Sequence, residues 1–124
     1  MPKALVVDDS KAVRMILGRT LKEIGYEVSE AGDGRQALEV IARDKAGMKL
    51  VLADWNMPEM NGLELLKHVR QDRELDSMVV VMVTTETDID QMVTALEAGA
   101  NEYVMKPFTK EILMGKLQLA GIAV

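Results

Sequence analysis

The feature that most limits how this chain can fold is an alternation between short apolar runs and longer stretches with a helical period. Lys3–Val7 (KALVV) is a β-branched run that stops abruptly at two acids, Asp8 and Asp9. From Lys11 to Ile24 the apolar residues Val13, Leu17, Leu21 and Ile24 recur every three or four positions, which predicts one inward helix face. Ser10 stands where an N-cap belongs, and Gly25 where a helix stops. Glu27–Ala31, polar at alternate positions, reads as a weaker strand at a sheet edge. A second helix opens at Asp33-Gly34 and runs to about Ala46, with Ala37, Leu38 and Ile41 inward. Leu50–Ala53 (LVLA) is a uniformly apolar strand ended by Asp54, and a turn through Met57-Pro58 leads to a helix over Gly62–Arg70. Leu65, Leu66 and Val69 share one side of that helix.

Met78–Val83 (MVVVMV) reads as a strand buried on both faces. The next helix spans about Asp88–Ala98 and ends at Gly99, with Ile89, Val93 and Met92 sufficient for its buried face. Tyr103–Met105 is the last short strand, and Thr109 caps a final helix with Leu113, Leu117 and Ala120 facing in. Five βα units in succession predict an α/β fold, a doubly wound parallel sheet with helices on both faces. No linker or low-complexity stretch divides the 124 residues, so one domain over 1–124 is expected. With 48% hydrophobic residues the chain can bury a core without cross-links, and the absence of cysteine excludes disulfides and thiolate metal sites. That composition is compatible with a reducing cytoplasm. No apolar run approaches a membrane span, and no signal-peptide pattern follows Met1. A net charge of −5 argues against a broad nucleic-acid surface.

In a doubly wound sheet, ligands sit beyond the carboxyl ends of the strands, where strand order reverses. For the order 2-1-3-4-5 that point lies between the first and third strands. Asp8 and Asp9 end the first strand and Asp54 the third, so that order would gather three carboxylates in one crevice. Acids so close repel one another, and a hard cation relieves the repulsion. Oxygen-only ligands, with no His or Cys at hand, favour magnesium over zinc. Taken separately, Asp8-Asp9 could simply begin a helix and Asp54 a turn. It is their position on the two central strands that points to a site. Thr84-Thr85 closes the fourth strand and Lys106-Pro107 the fifth, on the same rim. A lysine there can pair with carboxylates or phosphate oxygens, and a threonine hydroxyl can donate to the same groups.

LVVDDS at 5–10, ADWNMPEMNGLELL at 53–66, MVTTE at 82–86 and EAGANEYVMKPF at 97–108 occur in a fixed order. Together they resemble the receiver domains of two-component response regulators, most of all the stand-alone chemotaxis regulators of the CheY type. The resemblance covers essentially the whole chain and implies a flavodoxin-like fold. It implies that Asp54 accepts a phosphoryl group from a histidine kinase. Asp9, Asp54 and the main-chain carbonyl of Asn56 would bind Mg²⁺, with Asp8 acting mainly through water. Thr84 would bond the phosphoryl group and move toward it, Lys106 would pair with it, and Tyr103 would change between outward and inward rotamers. The Lys106–Pro107 peptide would be cis, and Asn56 and Glu86 would tune the phosphoryl lifetime. Such a chain catalyses its own phosphorylation and dephosphorylation but is not an enzyme acting on an independent substrate.

The expected partners are the kinase, the flagellar motor switch and a phosphatase, met by a cytoplasmic monomer. Target contacts are expected at Met92, Leu96, Glu102, Tyr103 and Lys116, with Met92 and Leu96 read equally well as core. Leu119 stands where such regulators commonly carry a charge. A phosphorelay intermediate, a phosphate sink or a domain excised from a longer regulator remains an alternative output. A phosphohydrolase resembling the haloacid-dehalogenase group would need a second acid two residues after its nucleophile, where this chain has Asn56. A flavin phosphate would be repelled by Asp8 and Asp9, and a scaffold without phosphorylation would not need Asp9, Asp54, Thr84 and Lys106 together. His68 is expected on a solvated helix face, Trp55 on the rim, and most of the ten methionines in the core.

Overall fold

The computed structural model describes residues 1–85 and 89–124. Its elements follow in the order β1 (Lys3–Val7), α1 (Lys11–Glu23), β2 (Glu27–Ala31), α2 (Gly34–Asp44), β3 (Met48–Ala53) and α3 (Gly62–Gln71). A single 3₁₀ turn, Arg73–Leu75, precedes β4 (Val79–Thr84), α4 (Ile89–Glu97), β5 (Glu102–Met105) and α5 (Lys110–Leu119). The five strands are parallel and lie in the order β2-β1-β3-β4-β5, as the alternation of elements predicts. No helix among the described residues is long and apolar enough to cross a membrane.

Strand side chains alternate between two half-cores. Ala4, Val6, Leu50, Leu52, Val81, Val83 and Val104 pack with Leu17 and Leu21 of α1 and Leu113 and Leu117 of α5. Leu5, Val7, Val51, Ala53, Val80, Met82 and Tyr103 pack on the opposite face with residues of α2, α3 and α4. Helix starts fall where the sequence offers caps. The side chains of Ser10, Asp33 and Thr109 each accept a backbone N–H, and Asn61 forms a reciprocal capping box with Glu64.

Most elements differ from the sequence expectation by one or two residues at an end; β3 begins earlier, at Met48, and α2 ends earlier, at Asp44. The rotation of α4 is a larger difference. Ile89 and Val93, expected inward, are 72% and 45% exposed, whereas Met92 is half-buried and Ala95 fully buried. The helix carries two apolar stripes one residue apart, and periodicity cannot choose between them. Just past its C-terminal end the chain packs against Arg70 of α3. Gly99, at φ +110°, lies so near Arg70 that a Cβ would come within 2.8 Å of the Arg70 Cγ. The Arg70 guanidinium also donates to the Gly99 carbonyl at 2.9 Å and to Asn101 Oδ1 at 2.9 Å. Met92 and Ala95 pack on the half-core, while Ile89, Val93 and Leu96 face out. Trp55 also departs from expectation: it is buried in the α2–α3–α4 half-core and not on the rim.

Away from the crevice, Lys45 pairs with Asp72 at 2.5 Å and with Glu74 at 3.1 Å. The bond from Lys45 holds the Asp72 carboxyl below its ordinary range, and the acids hold Lys45 above its own. A lowered carboxyl pKa stabilises the fold above the unfolded value, and that stability is lost as pH falls through the folded value. Asp72→Asn is therefore expected to lower urea stability slightly at pH 7. The effect is small because the pair is exposed, and the difference from wild type should close as both proteins are titrated below the ordinary Asp range, where the Asp72 carboxyl takes up its proton.

Candidate functional site

The site is built by strand pairing. β1 and β3 are hydrogen-bonded neighbours with Val7 opposite Ala53, and the ladder continues one residue further, the Asp54 N–H donating to the Val7 carbonyl at 2.9 Å. The Asp8 N–H likewise donates to the Ala31 carbonyl of β2 at 3.1 Å. Asp8 and Asp54 thus leave adjacent strands at one level, both buried, with the exposed Asp9 beside them. Each of the three carboxylates offers an oxygen within 4.8 Å of the others.

Lys106, at the end of β5, reaches across the crevice. Its Nζ donates to Asp8 Oδ2 at 2.6 Å and lies 3.4 Å from Asp54 Oδ2. The remaining oxygens of these two acids accept main-chain donors, Asp8 Oδ1 from Ser10 at 2.9 Å and Asp54 Oδ1 from Trp55 at 2.8 Å. Thr84 is fully buried at the end of β4, and its carbonyl accepts the Lys106 N–H at 2.9 Å. One ammonium against three carboxylates leaves an excess of negative charge. A hard divalent cation fits that donor set, which is all oxygen and open to solvent at Asp9. Asp9 also borders a shallow cleft with Asn56, Met57, Pro58 and Asn61.

Two glycines hold the loop behind Asp54. A Cβ on Gly62 would lie 2.1 Å from the Asp54 carbonyl oxygen, and the Gly62 N–H donates to the Trp55 carbonyl at 2.9 Å. A Cβ on Gly34 would lie 2.6 Å from the Met60 carbonyl oxygen, which accepts the Gly34 N–H. Between them a tight turn, closed by the Met60 N–H on the Pro58 carbonyl at 2.7 Å, places Glu59 at φ +65°. A non-glycine residue rarely adopts that conformation.

Of the other residues singled out from sequence, Tyr103 is buried in the α4-side half-core and so stands inward. Glu102 pairs with Lys116 of α5 at 3.4 Å, Leu96 is exposed, and Met92 is half-buried against the core. The Lys106–Pro107 peptide is cis. Glu86 lies outside the described residues. Sequence reasoning missed Arg14, whose Nη1 donates to the Asp8 carbonyl oxygen at 2.6 Å, because nothing in a helical period marks a side chain that bonds to main chain.

The family model for the response regulator receiver domain matches residues 4–118. This chain belongs to the response regulator receiver family. The receiver is 47% identical over 118 residues to the chemotaxis protein CheY1 of Helicobacter pylori, covering 94% of each chain. It is 45% identical over 117 residues to a CheY homologue of Campylobacter jejuni, covering 94% of this chain and 89% of that one. The solved structure of CheY4 of Vibrio cholerae superposes with a TM-score of 0.86 at 38% identity, covering 97% of this chain and 98% of that one. The receiver is therefore a two-component signalling protein closely related to chemotaxis regulators.

The packing against Gly62 makes a direct prediction. Gly62→Ala forces a methyl group into the Asp54 carbonyl and should cost about 1–3 kcal/mol of stability in urea denaturation. It should also change the fluorescence of Trp55, whose main chain bonds to both Asp54 and Gly62.

Proposed function

We propose that this receiver accepts a phosphoryl group on Asp54 from a histidine kinase, with Mg²⁺ bound by Asp9, Asp54 and the Asn56 carbonyl and Asp8 acting mainly through water. The observation that carries the reading is the convergence of three carboxylates and Lys106 at the carboxyl ends of β1, β3 and β5. A carboxylate oxygen of Asp54 attacks phosphorus while the bond to the donor imidazole breaks, and its electron pair stays with the donor. Asp54 begins this step oriented by the Trp55 N–H, which leaves the other oxygen toward Lys106. When bound, Mg²⁺ supplies charge neutralisation to the phosphoryl oxygens. Lys106 pairs with those oxygens as they arrive, exchanging a carboxylate partner for a phosphoryl one.

The added charge favours movement of the Thr84 hydroxyl toward the phosphoryl group, and Tyr103 responds on the α4 side of the sheet. The output face would be that formed by α4, β5 and α5. These three elements carry exposed apolar residues: Ile89, Val93 and Leu96 on α4, Met105 on β5, Ile112 and Leu119 on α5. They accompany the Glu102–Lys116 pair, and the partner proposed for them is the flagellar motor switch.

Intact-mass analysis after acetyl phosphate and Mg²⁺ should give one phosphoryl adduct, absent in Asp54→Ala and absent when the metal is chelated. An adduct that survives either change sinks the assignment. Capture of the motor-switch protein should rise on phosphorylation and fall in Leu96→Asp. Binding that ignores phosphorylation would remove motor control from the proposal while leaving the chemistry at Asp54 intact.

A further inference from the structure

We propose that Arg14 positions the cation site without touching the ion, an inference that rests on the reading of Asp8, Asp9 and Asp54 as the acids of that site. The carbonyl that Arg14 Nη1 grips at 2.6 Å belongs to the peptide group joining Asp8 to Asp9. Fixing the plane of that peptide fixes the direction in which Asp9 leaves the chain. Asp9 needs such control. The carboxylates of Asp8 and Asp54 are each held by main-chain donors and Lys106. Among the described residues no hydrogen bond orients the carboxylate of Asp9.

Arg14 is itself braced. Its Nε donates to Glu30 on the edge strand β2 at 2.9 Å, and its side chain is only 17% exposed. One planar guanidinium thereby ties α1 to β2 and to the end of β1, a geometry an ammonium cannot reproduce. Glu30, Arg14, the Asp8 carbonyl and Asp9 form a chain of support running from the sheet edge to the exposed ligand.

Simple electrostatics makes the opposite prediction. A fixed cation beside three acids competes with a divalent ion, so removing it should tighten binding. Removing a group that orients a ligand typically weakens metal affinity 10–100-fold. The sign of the effect therefore separates the two roles.

The test is a Mg²⁺ titration of the whole chain, followed by Trp55 fluorescence and by calorimetry, with folding checked by circular dichroism. Arg14→Met and Arg14→Lys should both bind Mg²⁺ about tenfold more weakly or worse, and Glu30→Gln should show a smaller loss in the same direction. Unchanged or tighter binding in Arg14→Met overturns the proposal, as does wild-type affinity in Arg14→Lys. If Arg14→Met does not fold, Arg14→Lys and Glu30→Gln decide by the same criterion. A wild-type protein that does not bind Mg²⁺ would defeat the reading of the acids themselves. Wild-type binding with unaffected variants would defeat only the role of Arg14.

Discussion

The hydrogen-bonded pairing of β1 with β3 is the constraint on which the crevice depends. Asp8 and Asp54 are far apart in sequence, and only this ladder, continued by the Asp54 N–H on the Val7 carbonyl, sets them at one level. Neighbouring strands lie about 4.8 Å apart, so residues level across a ladder share a single site. A slip of one residue would turn Asp54 to the other face of the sheet, and a slip of two would carry it about 6–7 Å along the strand. Register is protected by the apolar content of both strands, which are buried on both faces. Repulsion among the acids is thus opposed by burial elsewhere in the same strands.

Around that ladder the surrounding loops are held by close contacts more than by bulk. Gly34 and Gly62 allow main chain to approach main chain behind Asp54, and Glu59 is kept in an uncommon conformation between them. Such strain persists where neighbouring structure over-determines a loop, and it is characteristic of sites that must be rigid before a ligand arrives. The crevice is accordingly fixed on the side of β3, while across it Lys106 reaches in from the end of β5 to Asp8 and Asp54.

Much of this could be read from the sequence, for reasons that also mark where reading stops. Alternation of β-branched runs with helical periods specifies βα units, because burial on both faces of a parallel sheet requires it. Acids that end apolar strands stand out for the same reason, so Asp8, Asp9, Asp54 and Lys106 could be placed on one rim in advance. The buried face of α4 could not be chosen, since Ile89–Val93–Leu96 and Met92–Ala95–Gly99 are equally periodic. In the structure the second turns inward, with Gly99 packed against Arg70 of another helix. The roles of Arg14 and Gly62 beside the acids are invisible in the sequence because the groups they meet there are carbonyls, which every residue carries. Following Asp54, Trp55 reads as a rim residue, yet it is buried in the half-core with α2, α3 and α4.

The division of the interior into two half-cores has a consequence of its own. Along β5, Val104 packs with α1 and α5, whereas Tyr103 packs with the layer containing α4. Successive side chains of one strand therefore report to separate compartments, with a continuous sheet of hydrogen bonds as the bulkhead between them. A rearrangement confined to the layer of α2, α3 and α4 would leave the packing of α1 and α5 on the sheet in place, and with it the strands that carry the acids.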